Sequence, residues 1–174
     1  MVDLAHLIFW LENDKDTARV SFMIKDIDAY IAVPLHNIKT SDNETCTDRY
    51  KVVKCNGSKC PLCKASYTTR RRLFVPLYNH KTNTIQFWPR PEASYATFEN
   101  MYSRYKDIRS YIFEIKRHGK KFDPNTSYEI NAIGRRSYKE YSIPDIHYLL
   151  YEIMTNEEMD KYLLEVQHEC EQSS

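Results

Sequence analysis

Glycine is scarce in this chain, with three in 174 residues. That excludes a glycine-rich phosphate loop, which needs several glycines to bring backbone amides against a nucleotide, and no GxSxG nucleophile elbow is present. Long apolar runs are also missing, so no segment approaches the ~20 residues of a membrane-spanning helix. The stretch MVDLAHLIFWLENDKD lacks a basic leader, and its apolar patch is short and carries His6, which argues against a secretory signal. No internal repeat or low-complexity segment is present. The expectation is a non-enzymatic protein kept in the cytoplasm, with no membrane partner.

The composition, 42% hydrophobic and 28% charged, reads as globular. The length fits one domain of roughly 100 to 150 residues with an appendage. The formal net charge of +1 hides an asymmetry. Residues 1–143 carry 24 Lys and Arg against 16 Asp and Glu, whereas residues 144–174 carry 1 against 8. A basic body followed by an acidic tail fits a polyanion-binding body whose tail competes with the ligand or recruits a protein; the plainer alternative is a solvated acidic helix pair.

Five cysteines are present, and an odd count argues against a framework of paired bridges. In a reducing compartment clustered thiols serve more often as metal ligands. Three of them, Cys55, Cys60 and Cys63, fall within KVVKCNGSKCPLCK. The CPLC turn at 60–63 has the form of a zinc knuckle, in which backbone amides face two thiolates. Cys55 supplies a third sulfur. The fourth ligand is His36 or Cys46, with His36 preferred because it ends a strand and its second nitrogen can be fixed by a carbonyl. Four protein ligands leave no open position, so one structural zinc ion is expected rather than a catalytic one. A redox dithiol would require a helix opened by the pair in a βαβ setting, which the pattern lacks.

The periodicity predicts a mainly β body. Residues 18–39 read as a hairpin broken at Asp26 and Asp28; DRYKVVKC reads as a strand; RRRLFVPLYN and IQFWPR form a second hairpin about the turn in NHKTNT. Residues 92–107 place Tyr95, Phe98, Met101, Tyr102 and Tyr105 at helical spacing. RSYIFEIKRHG and TSYEINAIGRR alternate again around the Gly119, Pro124 and Asn125 turn. From 142 onward two helices are predicted, the first with the stripe Ile146, Leu149, Leu150 and Ile153. The second opens on a Thr155–Glu158 capping box and carries Met159, Tyr162, Leu163, Val166 and Cys170. Strands flanking one interior helix suggest a small, highly curved barrel with an inserted cysteine module.

Cations and flat rings interleave through the body, a pattern suited to unpaired nucleic acid, where rings stack bases at about 1 to 3 kcal/mol each and cations line the backbone. Candidate nucleic-acid-binding residues are Lys64, Arg70, Arg71, Arg72, Tyr78, Lys81, Trp88, Arg90, Arg104, Tyr105, Lys116, Lys120 and Arg135. The run continues through Arg136, Tyr138, Lys139 and Tyr141, and Arg117 and Lys121 accompany Lys116. Tyr78 and Trp88 are placed on the binding face by strand parity; Phe87 and Phe113 are assigned to the core.

His36, Cys55, CPLC at 60–63, LFVPLYNHKTNTIQFWPR, IFEIKRHGKKFD and SYEINAIG together resemble the zinc-containing single-stranded DNA-binding proteins of tailed bacteriophages, related in plan to the T-even phage replication protein. The resemblance spans about residues 17 to 136. It implies an OB-fold barrel with an inserted zinc ribbon, His36, Cys55, Cys60 and Cys63 as ligands, and strand coating in replication, recombination and repair with little base discrimination. Replication or recombination proteins are the further partners it implies. The domain reading is an OB core over 1–141, with the zinc insertion at about 36–64 and an acidic helical extension over 142–174. The alternative function is a zinc-ribbon adaptor for a replication or transcription protein.

Overall fold

The computed structural model describes residues 6–25, 32–40, 49–121, 123–137, 139–144 and 151–172. In chain order these form β1 (Thr17–Phe22), β2 (Ala32–Thr40), β3 (Arg49–Lys54), α1 (Pro61–Lys64), β4 (Arg70–Asn79), β5 (Thr84–Pro91), α2 (Tyr95–Arg104), β6 (Tyr111–His118), β7 (Ser127–Arg135) and α3 (Asn156–Gln172). The fold is mainly β with a C-terminal helix. No helix among the described residues is long and apolar enough to cross a membrane. The chain divides into two compact units, one of residues 1–32 with 73–144 and one of 33–72 with 145–174.

In the first unit β1 lies between β4 and β6, antiparallel to both; β7 continues from β6, and β5 pairs with β4. The strands form because apolar residues alternate on them: Phe113 and Ile115 of β6 point inward, joined by Val20 and Phe22 of β1 and Leu73, Val75 and Leu77 of β4. Between β5 and β6, α2 buries Phe98 and lays Tyr95, Met101 and Tyr102 against the same core. Phe22 meets Phe98 and Phe113 edge-to-face, the arrangement ring quadrupoles favour. The apolar N-terminal patch also has a place here: Phe9 N donates to Phe87 O at 2.8 Å and Phe87 N to Leu7 O at 2.7 Å, so this segment runs alongside β5.

Two expectations are corrected. Residues 18–39 hold two strands but no hairpin, because both edges of β1 are taken by β4 and β6 while β2 pairs with β3. Local alternation specifies a strand; its partner is chosen by the core it must close. The predicted first C-terminal helix is also absent from its described ends, since 142–144 and 151–154 are not helical and Glu152 bridges Val53 instead. Asp26, Asp28, Cys46, Ile146, Leu149 and Leu150 lie outside the described residues.

Arg117 is a further departure. Its strand parity matches Phe113 and Ile115, and it is buried. With no carboxylate on it among the described residues, the guanidinium donates to the carbonyls of Leu11, Gly119 and Lys120, to Tyr128 Oη and to Thr126 Oγ1, all within 3.1 Å. One planar fork therefore ties the β6–β7 turn to the N-terminal segment, a task the single ammonium of lysine cannot reproduce. Arg117→Lys is expected to lower stability by about 2 kcal/mol, read by urea unfolding, because buried carbonyls lose their donors. An unchanged midpoint would contradict that role.

In the second unit β2 and β3 form an antiparallel ladder from Leu35↔Lys54 to Thr40↔Arg49. Its core is Ile38, Val53, Cys55, Cys60, Leu62 and Met159, with Tyr67, Met154, Tyr162 and Leu163 packed around it. The predicted capping box opens α3: Thr155 N donates to Glu158 Oε2 at 2.7 Å and Glu158 N to Thr155 Oγ1 at 3.2 Å. The C-terminal helix thus belongs to the cysteine-bearing unit. Charge agrees with this grouping. Residues 33–72 carry nine Lys and Arg against three Asp and Glu, residues 145–174 one against eight, and Lys51 pairs with Glu152 at 2.8 Å.

Candidate functional site

The second unit gathers four ligand-type side chains. The β2–β3 register sets His36 opposite Val53, two residues before Cys55, and Cys55 N donates to Pro34 O at 2.9 Å. From there the chain turns through Gly57, whose φ of +76° suits a residue without Cβ. Cys60 then stands just ahead of α1 with Pro61 in the first helical position, where a missing N–H costs nothing. One turn on, α1 delivers Cys63.

The ligand atoms of His36, Cys55, Cys60 and Cys63 all lie within 4.8 Å of one another. Cys55 Sγ to Cys63 Sγ is 3.5 Å, and His36 Nε2 is 3.5 Å from both Cys60 Sγ and Cys63 Sγ. Metal bonds of about 2.0 to 2.3 Å at tetrahedral angles give ligand separations of about 3.5 to 3.8 Å, which the three separations of 3.5 Å match. The set could hold a metal ion, as expected from the sequence. His36 Nδ1 donates to Thr68 O at 3.1 Å, which leaves Nε2 as the lone-pair nitrogen facing the sulfurs.

Burial opposes ionisation of Cys55 and Cys60. It is the main cause pushing Cys55 up to about 11, against a backbone amide from Gly57. Burial works against the Cys60 thiolate too, yet backbone hydrogen bonds at Cys63, Asn56 and Leu62 bring that thiol below its ordinary value. Amides of the knuckle therefore already favour one thiolate, and a bound cation would favour the others. The start of α3 covers the Cys60 side of the site, while Cys63 stays exposed: Met159 Sδ lies 3.7 Å from Cys60 Sγ, and Asn56 Nδ2 donates to Met154 O and Asn156 Oδ1, both at 2.9 Å.

The first unit carries a cluster of partly exposed rings and arginines. Tyr105 and Tyr111 approach to 4.7 Å between centroids; Arg104 lies over Tyr105 at 5.7 Å and Arg135 over Tyr111 at 5.1 Å, with Arg135 Nη2 donating to Tyr111 Oη at 2.9 Å. Tyr78 stacks on Tyr141, and Arg136 sits against both. Ser21 links the two groups, since it pairs with Tyr78 in the β1–β4 register and its Oγ donates to Tyr111 O at 2.8 Å.

Other predicted residues fall elsewhere. Trp88 is a correction: it is 2% exposed and packs edge-on against Phe9, Phe98 and Tyr128. Phe87 and Trp88 point to opposite faces of β5, yet both faces are covered, so parity could not assign either to solvent. Phe113 is buried as expected. Arg90 lies half-buried over Trp88 and Tyr128, at 5.0 and 4.4 Å. Lys81 is exposed in the β4–β5 turn, Lys116 half-buried on β6 and Lys120 exposed after it. In the second unit Lys64 ends α1 and Arg70, Arg71 and Arg72 begin β4, all exposed. Arg109 is engaged by Asp107 through two bonds of 2.9 Å, an interaction that leads in holding the Asp107 carboxyl below its usual range. His80, which the sequence places in the run with Lys81, Phe87, Trp88 and Arg90, lies half-buried at the β4–β5 turn with its ring edge-on to Tyr78.

No family model, curated protein or solved structure matches this chain.

Proposed function

We propose that this chain is a non-enzymatic single-stranded DNA-binding protein that coats exposed strands with little base discrimination, in replication, recombination and repair of a phage. The observation that carries the reading is the ring cluster of the first unit. Tyr78, Tyr105 and Tyr111 stay partly open to solvent, and each has an arginine against its ring. Ring faces accept any base, and adjoining guanidinium groups meet the phosphates between bases. Base-specific readout would instead require fixed hydrogen-bonding pairs.

The reading includes an OB-type barrel for the first unit. The five strands β1, β4, β5, β6 and β7, with α2 between the third and fourth, match that plan, and Trp88 of β5 touches Tyr128 of β7, as expected if the sheet curls on itself. The metal is assigned as zinc from its donors, three thiolates and an imidazole, which favour that ion in a closed tetrahedral set. Its role is structural.

Anisotropy of a labelled single-stranded oligonucleotide across a salt series, with duplex as competitor, tests the reading. The expected result is tight binding that falls steeply with salt and that duplex fails to displace. Arg135→Gln should weaken it and make the salt slope shallower by about 0.7, the value for one phosphate on a single strand. Binding that duplex competes away equally would sink the reading.

A further inference from the structure

Within the first unit Arg136 has unmet hydrogen-bonding capacity. Its Nε and Nη2 are sealed from solvent and have no acceptor among the described residues. A buried donor left this way is costly, and a charged one more so, and an acceptor brought by a ligand relieves that cost. The guanidinium carbon is 5.4 Å from the Tyr78 ring and 5.5 Å from the Tyr141 ring. Those two rings stack with centroids 4.9 Å apart and planes 29° from parallel, close to how a base would lie on Tyr78.

The surroundings hold Tyr78 but leave Tyr141 loosely committed. Tyr78 belongs to β4, its Oη donates to Asn83 Oδ1 at 3.2 Å, and His80 meets it edge-on at 5.1 Å. His80 Nε2 is 3.0 Å from Ser21 Oγ, and that hydroxyl gives its proton to Tyr111 O, so the imidazole donates to it. Burial first, and then the Arg136 charge, hold His80 below its ordinary pKa. Arg136 is therefore the cation at this spot. Tyr141, by contrast, follows Glu140 in residues 139–144, which join no helix or strand. Moving it breaks no sheet ladder.

We propose that Tyr78 and Arg136 form one nucleotide subsite, with the base on the Tyr78 ring and the phosphate on Nε and Nη2 of Arg136, and that Tyr141 occupies the base position in the free protein. The proposal rests on the strand-binding reading above and adds self-competition to it. A strand must displace Tyr141 before it reaches the buried guanidinium. A site that is covered for more than two-thirds of the time binds at least about threefold more weakly than the same site left open.

The test titrates fluorescein-labelled oligothymidylate with full-length wild type, Tyr141→Ala, Tyr141→Phe and Arg136→Gln, each checked for an unchanged melting temperature. Tyr141→Ala should bind at least about threefold tighter, Tyr141→Phe like wild type, and Arg136→Gln with a salt slope shallower by about 0.7. Should the alanine variant melt early, Tyr141→Leu removes the aromatic face and keeps the bulk. Equal or weaker binding on loss of the Tyr141 ring, or an unaltered slope for Arg136→Gln, overturns the subsite. Absence of binding by wild type and by every variant instead overturns the strand-binding reading.

Discussion

Removing the metal is expected to unfold the second unit. Among the described residues its buried apolar side chains are Val33, Leu35, Ile38, Val53, Leu62, Tyr151 and Met159, and the buried Cys55 and Cys60 are themselves candidate ligands, around β2, β3, a single-turn α1 and α3. So few apolar side chains cannot offset the entropy of ordering about 70 residues. A structural zinc site contributes roughly 10 to 16 kcal/mol of apparent binding energy, enough to decide the balance. Each thiol must give up a proton to bind, so loading weakens as pH falls. Chelator treatment, and separately Cys60→Ala, should abolish the protease resistance of α3 while leaving that of β6 and β7. Zinc added back should restore the chelated protein and not the variant. Intact protection of α3 in metal-free protein would show that packing alone suffices.

The candidate metal site was legible because most of it is local. The CPLC turn fixes two sulfurs by its own geometry, and Cys55 lies one short loop away. His36 is distant in sequence, and it stands in the middle of β2 rather than at the strand end expected for it; its register with Val53 is what brings it to the sulfurs. What stayed hidden was the role of α3. The spacing of Met159, Tyr162 and Leu163 marked a helix with one apolar face, but periodicity says nothing about what that face covers. Likewise β1 and β2 were found as strands and misjudged as a pair, since the partner of a strand is a tertiary choice. Arg117 carried a readable clue in sharing the parity of Phe113 and Ile115. Composition drew it toward the cationic surface instead, because arginine is seldom buried without a carboxylate.

Trp88 is where surface and core readings diverge most, and substitution there separates them. Trp88→Ala is expected to destabilise the first unit by about 3 to 5 kcal/mol, the cost of emptying an indole-sized volume in a closed core. The ring contacts Phe9, Phe98 and Tyr128, so its loss loosens the N-terminal segment, α2 and β7 together, and it removes one of two rings beneath Arg90. Were Trp88 instead a base-stacking residue, the same substitution would leave the unfolding midpoint near wild type and cost about 1 to 3 kcal/mol in affinity. Urea unfolding and oligonucleotide titration of one sample distinguish the two: a large fall in stability, with near-normal affinity in the fraction that remains folded, places the indole in the core. Trp88→Phe should recover most of the stability, because a smaller ring still fills part of the space and keeps the edge-on contacts.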